Sequence, residues 1–175
     1  GRGLVREDVA AILMDEPLTV IDPDLKFRLR RNLKEINEQY KTTLVYVTHD
    51  QNEAMTFADN IIVMDQGEIV QVGLPKDLFE RPKTTFVGYF IGSPAMNLLD
   101  SHILSDYEIK LDNYKIKTNT NLSKLKSHEI KLGIRSEFIQ IAKGQTENVI
   151  KTSIKRVEDF GNFKLLTTRI GKYTI

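Results

Sequence analysis

Two hydrophobic periodicities divide the chain. Up to Gly92, apolar residues come as short unbroken runs or at helical spacing; beyond Pro94 they alternate with polar ones in short segments. By run length and composition, "AAILM" predicts a strand buried on both faces. In "IDPDLKFRLRRNLKEINEQY", Leu25, Leu29, Leu33, Ile36 and Tyr40 recur on one face of a helix, with charges on the other. Asp22 suits the N-cap of that helix. Pro23 then falls at the first helical position, where a missing N–H costs nothing. "TTLVYVTHD" reads as a second, β-branched strand, and "QNEAMTFAD" as a short helix. "NIIVMDQGEIVQVG" predicts a hairpin turning at Asp65, Gln66 and Gly67, while "PKDLFERP" and "KTTFVGYFIG" predict two more short helices.

This strand–helix–strand–helix–hairpin order predicts an α/β layer with a parallel sheet. Beyond Pro94 come "YEIKLDNYKIKT", "HEIKLGIRS", "FIQIAK", "ENVIKTSIKRVED" and "FKLLTTRIGKYTI", separated by Asp, Asn, Gly and Ser. That spacing predicts an all-β module, a small barrel or sandwich. The Gly-Ser-Pro stretch in "FIGSPAMN" reads as a linker or domain edge. The expected fold is therefore α/β over residues 1–92, followed by an all-β module over residues 93–175.

Charge supports the same division. Up to Gly92 there are 11 Lys and Arg against 15 Asp and Glu; from Ser93 onward the numbers are 14 and 9. The two halves nearly cancel, and a net charge of +1 gives no global attraction to nucleic acid. With no cysteine in the chain, disulfides and thiolate metal sites are excluded. No apolar run approaches the roughly 20 residues that span a bilayer. The opening "GRGLVREDVA" does not read as a secretory leader.

The chemistry lies at two strand ends. In open parallel sheets, ligands bind beyond the carboxyl ends of the strands. Here those ends carry Asp15 and Glu16 on one strand, and Thr48, His49 and Asp50 on the other. Carboxylates that close an apolar strand are costly unless compensated. A hard cation and an activated water would compensate them. Mg²⁺ prefers oxygen ligands and is often held by one carboxylate together with substrate phosphates. A second carboxylate one residue on can polarise an attacking water, and the imidazole of His49 could contact a transferred phosphate. Either feature alone is common: a carboxylate pair often just opens a solvated loop, and a lone histidine is more often structural. Their joint occurrence on two strands linked by one amphipathic helix favours chemistry.

Read together, these motifs match a known pattern. "ILMDEPLTVIDPDLKFRLRRNLKEI" resembles the Walker B and D-loop region of an ABC-transporter ATPase. "LVYVTHDQNEAMTFADNIIVMDQGEIVQVGLPKDLFERP" is similar to the histidine switch of that family and the segment after it. "FIGSPAMNLL" and "LGIRSEFI" narrow the resemblance to the ATPases of carbohydrate importers, the maltose and sn-glycerol-3-phosphate group. The resemblance implies a partial P-loop NTPase sheet followed by an oligonucleotide-binding-like (OB-like) regulatory domain, expected to be incomplete. It implies that Asp15 helps hold the Mg²⁺ of Mg-ATP through water, that Glu16 is the general base, and that His49 contacts the γ-phosphate. Asp22 would belong to the D-loop at the ATPase dimer interface. Val20 and Ile21 depart from the pattern, since the family usually has a small residue there.

Other family parts have no counterpart in these residues. No G-x-x-x-x-G-K-[ST] phosphate-binding loop occurs; Lys143-Gly144 is in reverse order, and Gly171-Lys172 has no upstream glycine at the required spacing. The glutamine loop and signature motif are absent too, and residues 1–7 resemble the helix that follows the signature. The chain is therefore expected to begin inside an ATPase domain, to stop early, and to be inactive alone. Implied partners are two membrane permease subunits and a second ATPase subunit, at the cytoplasmic face of the inner membrane. Missing strands should also expose a sheet edge and promote self-association. A non-catalytic dimerising or regulatory module is the alternative. A nucleic-acid binder is not expected, because Tyr107, Tyr114, Phe138, Phe160 and Phe163 are scattered at positions that equally suit a core.

Overall fold

The computed structural model describes residues 9–144 and 147–175, so the segment over residues 1–7 lies outside the described residues. The chain is mixed α/β, with small sheets and more strand than helix. It divides into two compact units, one ending at Arg81 and one from Pro82 to Ile175.

In the first unit, β1 (Ala11–Asp15) and β2 (Thr43–Val47) pair in parallel, Ala11 opposite Thr43 and Asp15 opposite Val47. The 18-residue helix α1 (Pro23–Tyr40) connects them. The Asp22 carboxylate accepts from the Asp24 N–H at 3.0 Å, which satisfies one of the orphan donors of the first turn. At the other end Lys41, at φ 51°, closes the helix with its N–H on the Asn37 carbonyl. Leu33, Ile36 and Tyr40 of α1 line a small cavity together with Ile12 and Leu44 of the strands. The helix stripe therefore covers one face of the strand pair.

The opposite face is open, which corrects the expectation that β1 is buried on both sides. Leu13 is 71% exposed, and Val45 and Val47 beside it are exposed as well. The physical reason is the size of the layer. Among the described residues the parallel sheet has two strands, and one helix can cover only one of its faces.

Next come α2 (Gln51–Phe57) and a hairpin of β3 (Ile61–Asp65) and β4 (Glu68–Gly73). Gln66 and Gly67 occupy its tip at φ 49° and 84°, the positive values that a two-residue hairpin turn demands. Ile61 and Val63 face inward and are buried, while Ile62, Met64, Ile69 and Val72 stand exposed. Helix α3 (Pro75–Glu80) packs against β4 with Leu78 fully buried.

The second unit opens with α4 (Thr85–Phe90), which contacts β5 (Asn97–Ser105) and β8 (Glu129–Ile134). Those contacts group α4 with the second unit. With β6 (Glu108–Leu111) and β7 (Tyr114–Lys117), these strands form an antiparallel sheet in the order β7-β6-β5-β8. A second sheet has the order β11-β10-β9, built from β9 (Ser153–Asp159), β10 (Lys164–Ile170) and β11 (Tyr173–Thr174). Among the described residues of the second unit, Val87, Ile91, Leu99, Ile109, Leu111, Leu122 and Ile170 are the buried apolar ones. Buried Arg135 donates from Nη1 to the Ile91 carbonyl at 2.6 Å, satisfying a carbonyl just past the end of α4.

One sequence expectation needs correction in this unit, and one strand went unread. "FIQIAK" is not a strand: a 3₁₀ turn at Ser136–Phe138 takes in its first residue, and Ile139 and Ile141 are exposed. Alternation alone cannot make a strand where no neighbour supplies a ladder. Conversely, β5, which the periodicity did not mark, is a central strand of its sheet. Among the described residues no helix is long and apolar enough to cross a membrane.

Candidate functional site

The parallel pairing of β1 and β2 brings the two chemistry-bearing strand ends side by side. The Glu16 N–H extends the ladder, donating to the Val47 carbonyl at 2.9 Å. At Glu16 the backbone turns to φ 46°, a left-handed value that few non-glycine residues adopt. Thr19 then closes the turn, its N–H on the Glu16 carbonyl at 3.3 Å. Strained residues of this kind cluster at functional sites.

The turn points Glu16 at the end of β2. Its Oε1 accepts from the His49 N–H at 2.9 Å and from His49 Nδ1 at 2.5 Å. A carboxylate only accepts, so Nδ1 carries the proton in this contact and Nε2 is the remaining polar atom of the ring. Glu16 Oε2 accepts from the Thr19 hydroxyl at 2.8 Å. The hydroxyl of Thr19, followed by the hydrogen bonds and charge of His49, holds the Glu16 carboxyl below the usual carboxylate range. The site is open: the side chain of His49 is 74% exposed and that of Glu16 35%.

The four expected site residues are not all gathered in one place. Glu16 and His49 are in direct contact, and Asp15 precedes Glu16 as the exposed last residue of β1. Asp22 caps α1 at the far end of the loop that leaves Glu16. Among the described residues no three His, Asp or Glu side chains converge as a metal-binding group.

Behind His49 lies a group that the motifs did not indicate. Glu53 of α2 is 3% exposed and accepts from the Tyr46 hydroxyl at 2.9 Å and the Thr48 hydroxyl at 3.0 Å. Lys26 Nζ of α1 approaches its other oxygen at 3.4 Å. Burial, followed by the bond to Glu53, pushes the Tyr46 hydroxyl well above its usual range and keeps it a donor. The available signal was two hydroxyls, Tyr46 and Thr48, on the helix-facing side of β2. Buried hydroxyls need a partner.

The parallel pairing thus leaves an open site in which an acidic strand end adjoins a glutamate–histidine contact. Comparison of sequences defines the class: the chain is homologous to the ATP-binding components of sugar and sn-glycerol-3-phosphate ABC importers. It is 36% identical to the trehalose/maltose import ATP-binding protein MalK of Thermococcus litoralis, over 99% of this chain and 50% of that protein. To the sn-glycerol-3-phosphate import ATP-binding protein UgpC of Psychromonas ingrahamii it is 42% identical, over 95% of this chain and 43% of that protein. The UgpC protein of Vibrio vulnificus is 39% identical, over 99% of this chain and 46% of its own length. The chain thus spans about half the length of the curated relatives it matches. No protein-family profile matches it.

Proposed function

We propose that the chain carries the hydrolytic side of an ATP site in an import ATPase subunit, with Glu16 as the residue that orients the attacking water. The contact between Glu16 and His49 across two parallel strand ends is the observation that carries this reading. A carboxylate offers about four acceptor positions. On Oε1, both donors from His49 fix the orientation of the group. On Oε2, Thr19 takes one position and leaves another for a water. With its pKa held low, Glu16 stays ionised and able to accept a proton from that water. His49 Nε2 is the group aimed at the terminal phosphate. Asp15 would hold Mg²⁺, which neutralises phosphate charge when bound.

Phosphoryl transfer is mostly positioning and electrostatics, so these residues need a phosphate cradle. None of the 175 residues forms the Walker-type loop, and the cradle is assigned to residues outside them. On this reading residues 1–92 are the later part of an ATPase domain, and residues 93–175 belong to an OB-like regulatory domain. Asp22 lies at the interface with a second ATPase subunit, and the pair docks on membrane permease subunits at the cytoplasmic face. The solute is a sugar or a glycerol phosphate. The exposed Leu13, Val45 and Val47 support self-association of the chain on its own. The missing cradle favours a second reading, a non-catalytic dimerising or regulatory module.

The test joins the chain to the half of the Thermococcus litoralis relative that it does not cover and compares Glu16→Gln with the parent. ATP should still bind, and hydrolysis should fall by about 100-fold or more, the usual contribution of a general base. An unchanged rate would remove Glu16 from the mechanism, and a parent that binds ATP without hydrolysing it would leave the non-catalytic reading.

A further inference from the structure

The buried carboxylate behind the histidine raises the question of what it holds. Three donors, one of them a cation, converge on Glu53 from two other elements: Tyr46 and Thr48 of the β2 segment, and Lys26 of α1. A buried charge so partnered is rigid, because losing any partner leaves it under-satisfied. Both chain neighbours of His49 are tied to it. The hydroxyl of Thr48, which donates to Glu53, also accepts the Asp50 N–H at 3.0 Å. Asp50 in turn caps α2, accepting from the N–H of Asn52 at 2.9 Å and of Glu53 itself at 3.3 Å. On the other side, Lys26 is one turn beyond Asp22, and its N–H donates to the Asp22 carbonyl at 2.8 Å.

We propose that Glu53 is a positioning residue that sets His49 against Glu16 and ties it through Lys26 to the start of α1, which Asp22 caps. The functional meaning of this role rests on the reading of His49 as part of the hydrolytic site. The mechanical claim does not. A change at the helix cap would reach the histidine through one buried side chain, and the reverse holds equally.

A simple stabilising ion pair would act on the whole first unit alike, and amide hydrogen exchange in the 175-residue chain separates the two cases. The His49 N–H donates to Glu16 and reports the positioning, while the β1–β2 ladder amides report the stability of the unit. In Glu53→Gln, protection at His49 should fall by about tenfold while the ladder amides change by less than about twofold, the pattern of a local opening. Thr48→Val, which removes the link without unpairing Lys26, should give the same local loss, and Thr48→Ser should restore it. Thr48→Val carries the test if Glu53→Gln fails to fold. Equal loss at His49 and along the ladder, or no loss at His49, overturns the proposal. Because this readout needs no nucleotide, it stands or falls separately from the hydrolysis assay of Glu16→Gln.

Discussion

Met96 sits between two glycines, and that arrangement makes a quantitative prediction. A Cβ on Gly133 of β8 would lie 2.6 Å from Met96 Sδ, and one on Gly88 of α4 would lie 2.9 Å from the same sulfur. Both separations are far inside the contact distance of about 3.5–4.0 Å for non-bonded heavy atoms. Methionine is flexible and can swing aside, but moving away from one glycine takes it toward the other. Overpacking of this kind costs about 1–3 kcal/mol. For Gly133→Ala we expect about 1–2 kcal/mol, because Met96 can retreat toward Gly88. For Gly88→Ala the steric cost is offset by about 0.8–1.0 kcal/mol of gained helix propensity, so the net effect should be small. The double variant closes both retreats. Its cost should exceed the sum of the singles by roughly 0.5–3 kcal/mol, the range for residues that share a neighbour. In a Met96→Ala background, Gly133→Ala should become nearly neutral, and Gly88→Ala should stabilise by about 0.8–1.0 kcal/mol, the helix-propensity gain left once the clash is gone. Urea unfolding followed by far-UV circular dichroism reads these differences as shifts in midpoint at constant slope. A Gly133→Ala cost that persists in the Met96→Ala background would refute the packing argument.

Two further predictions concern the first unit. Asp22→Ala removes the side-chain acceptor at the start of α1 and should cost about 1 kcal/mol, read as a lower urea midpoint; Asp22→Ser should recover most of it. The low carboxyl pKa of Glu16 adds stability that is complete above the ordinary glutamate value of about 4.3, and is lost as the pH falls through the lower folded value. Urea midpoints between pH 6 and pH 3 should therefore fall less steeply for Glu16→Gln than for the parent, and equal slopes would show that the contact with His49 and Thr19 is not made in solution.

The legible parts of the fold were those with a local cause. Asp22, Pro23 and the stripe from Leu25 to Tyr40 determine α1 by their spacing alone, and Gln66-Gly67 marks its hairpin. The juxtaposition of Glu16 with His49 followed from two apolar strands joined by one helix, since that connection favours parallel pairing. Strand β5 was hidden because Ser101 occupies a buried position, satisfied by the Leu99 carbonyl, where alternation calls for an apolar residue. "FIQIAK" misled in the opposite sense, with alternation but no partner. Glu53 could not be read locally: a glutamate in a short helix looks solvated, and its burial depends on Lys26, which lies far back in the sequence.

The most direct test of the account is calorimetry of Mg-ATP binding to the 175-residue chain, with phosphate release followed in the same sample. The chain holds Asp15, Glu16 and His49 but no Walker-type loop, so neither binding nor release is predicted. Binding with turnover would mean that these residues already form a complete site, and would contradict the assignment of the phosphate cradle to residues outside the chain.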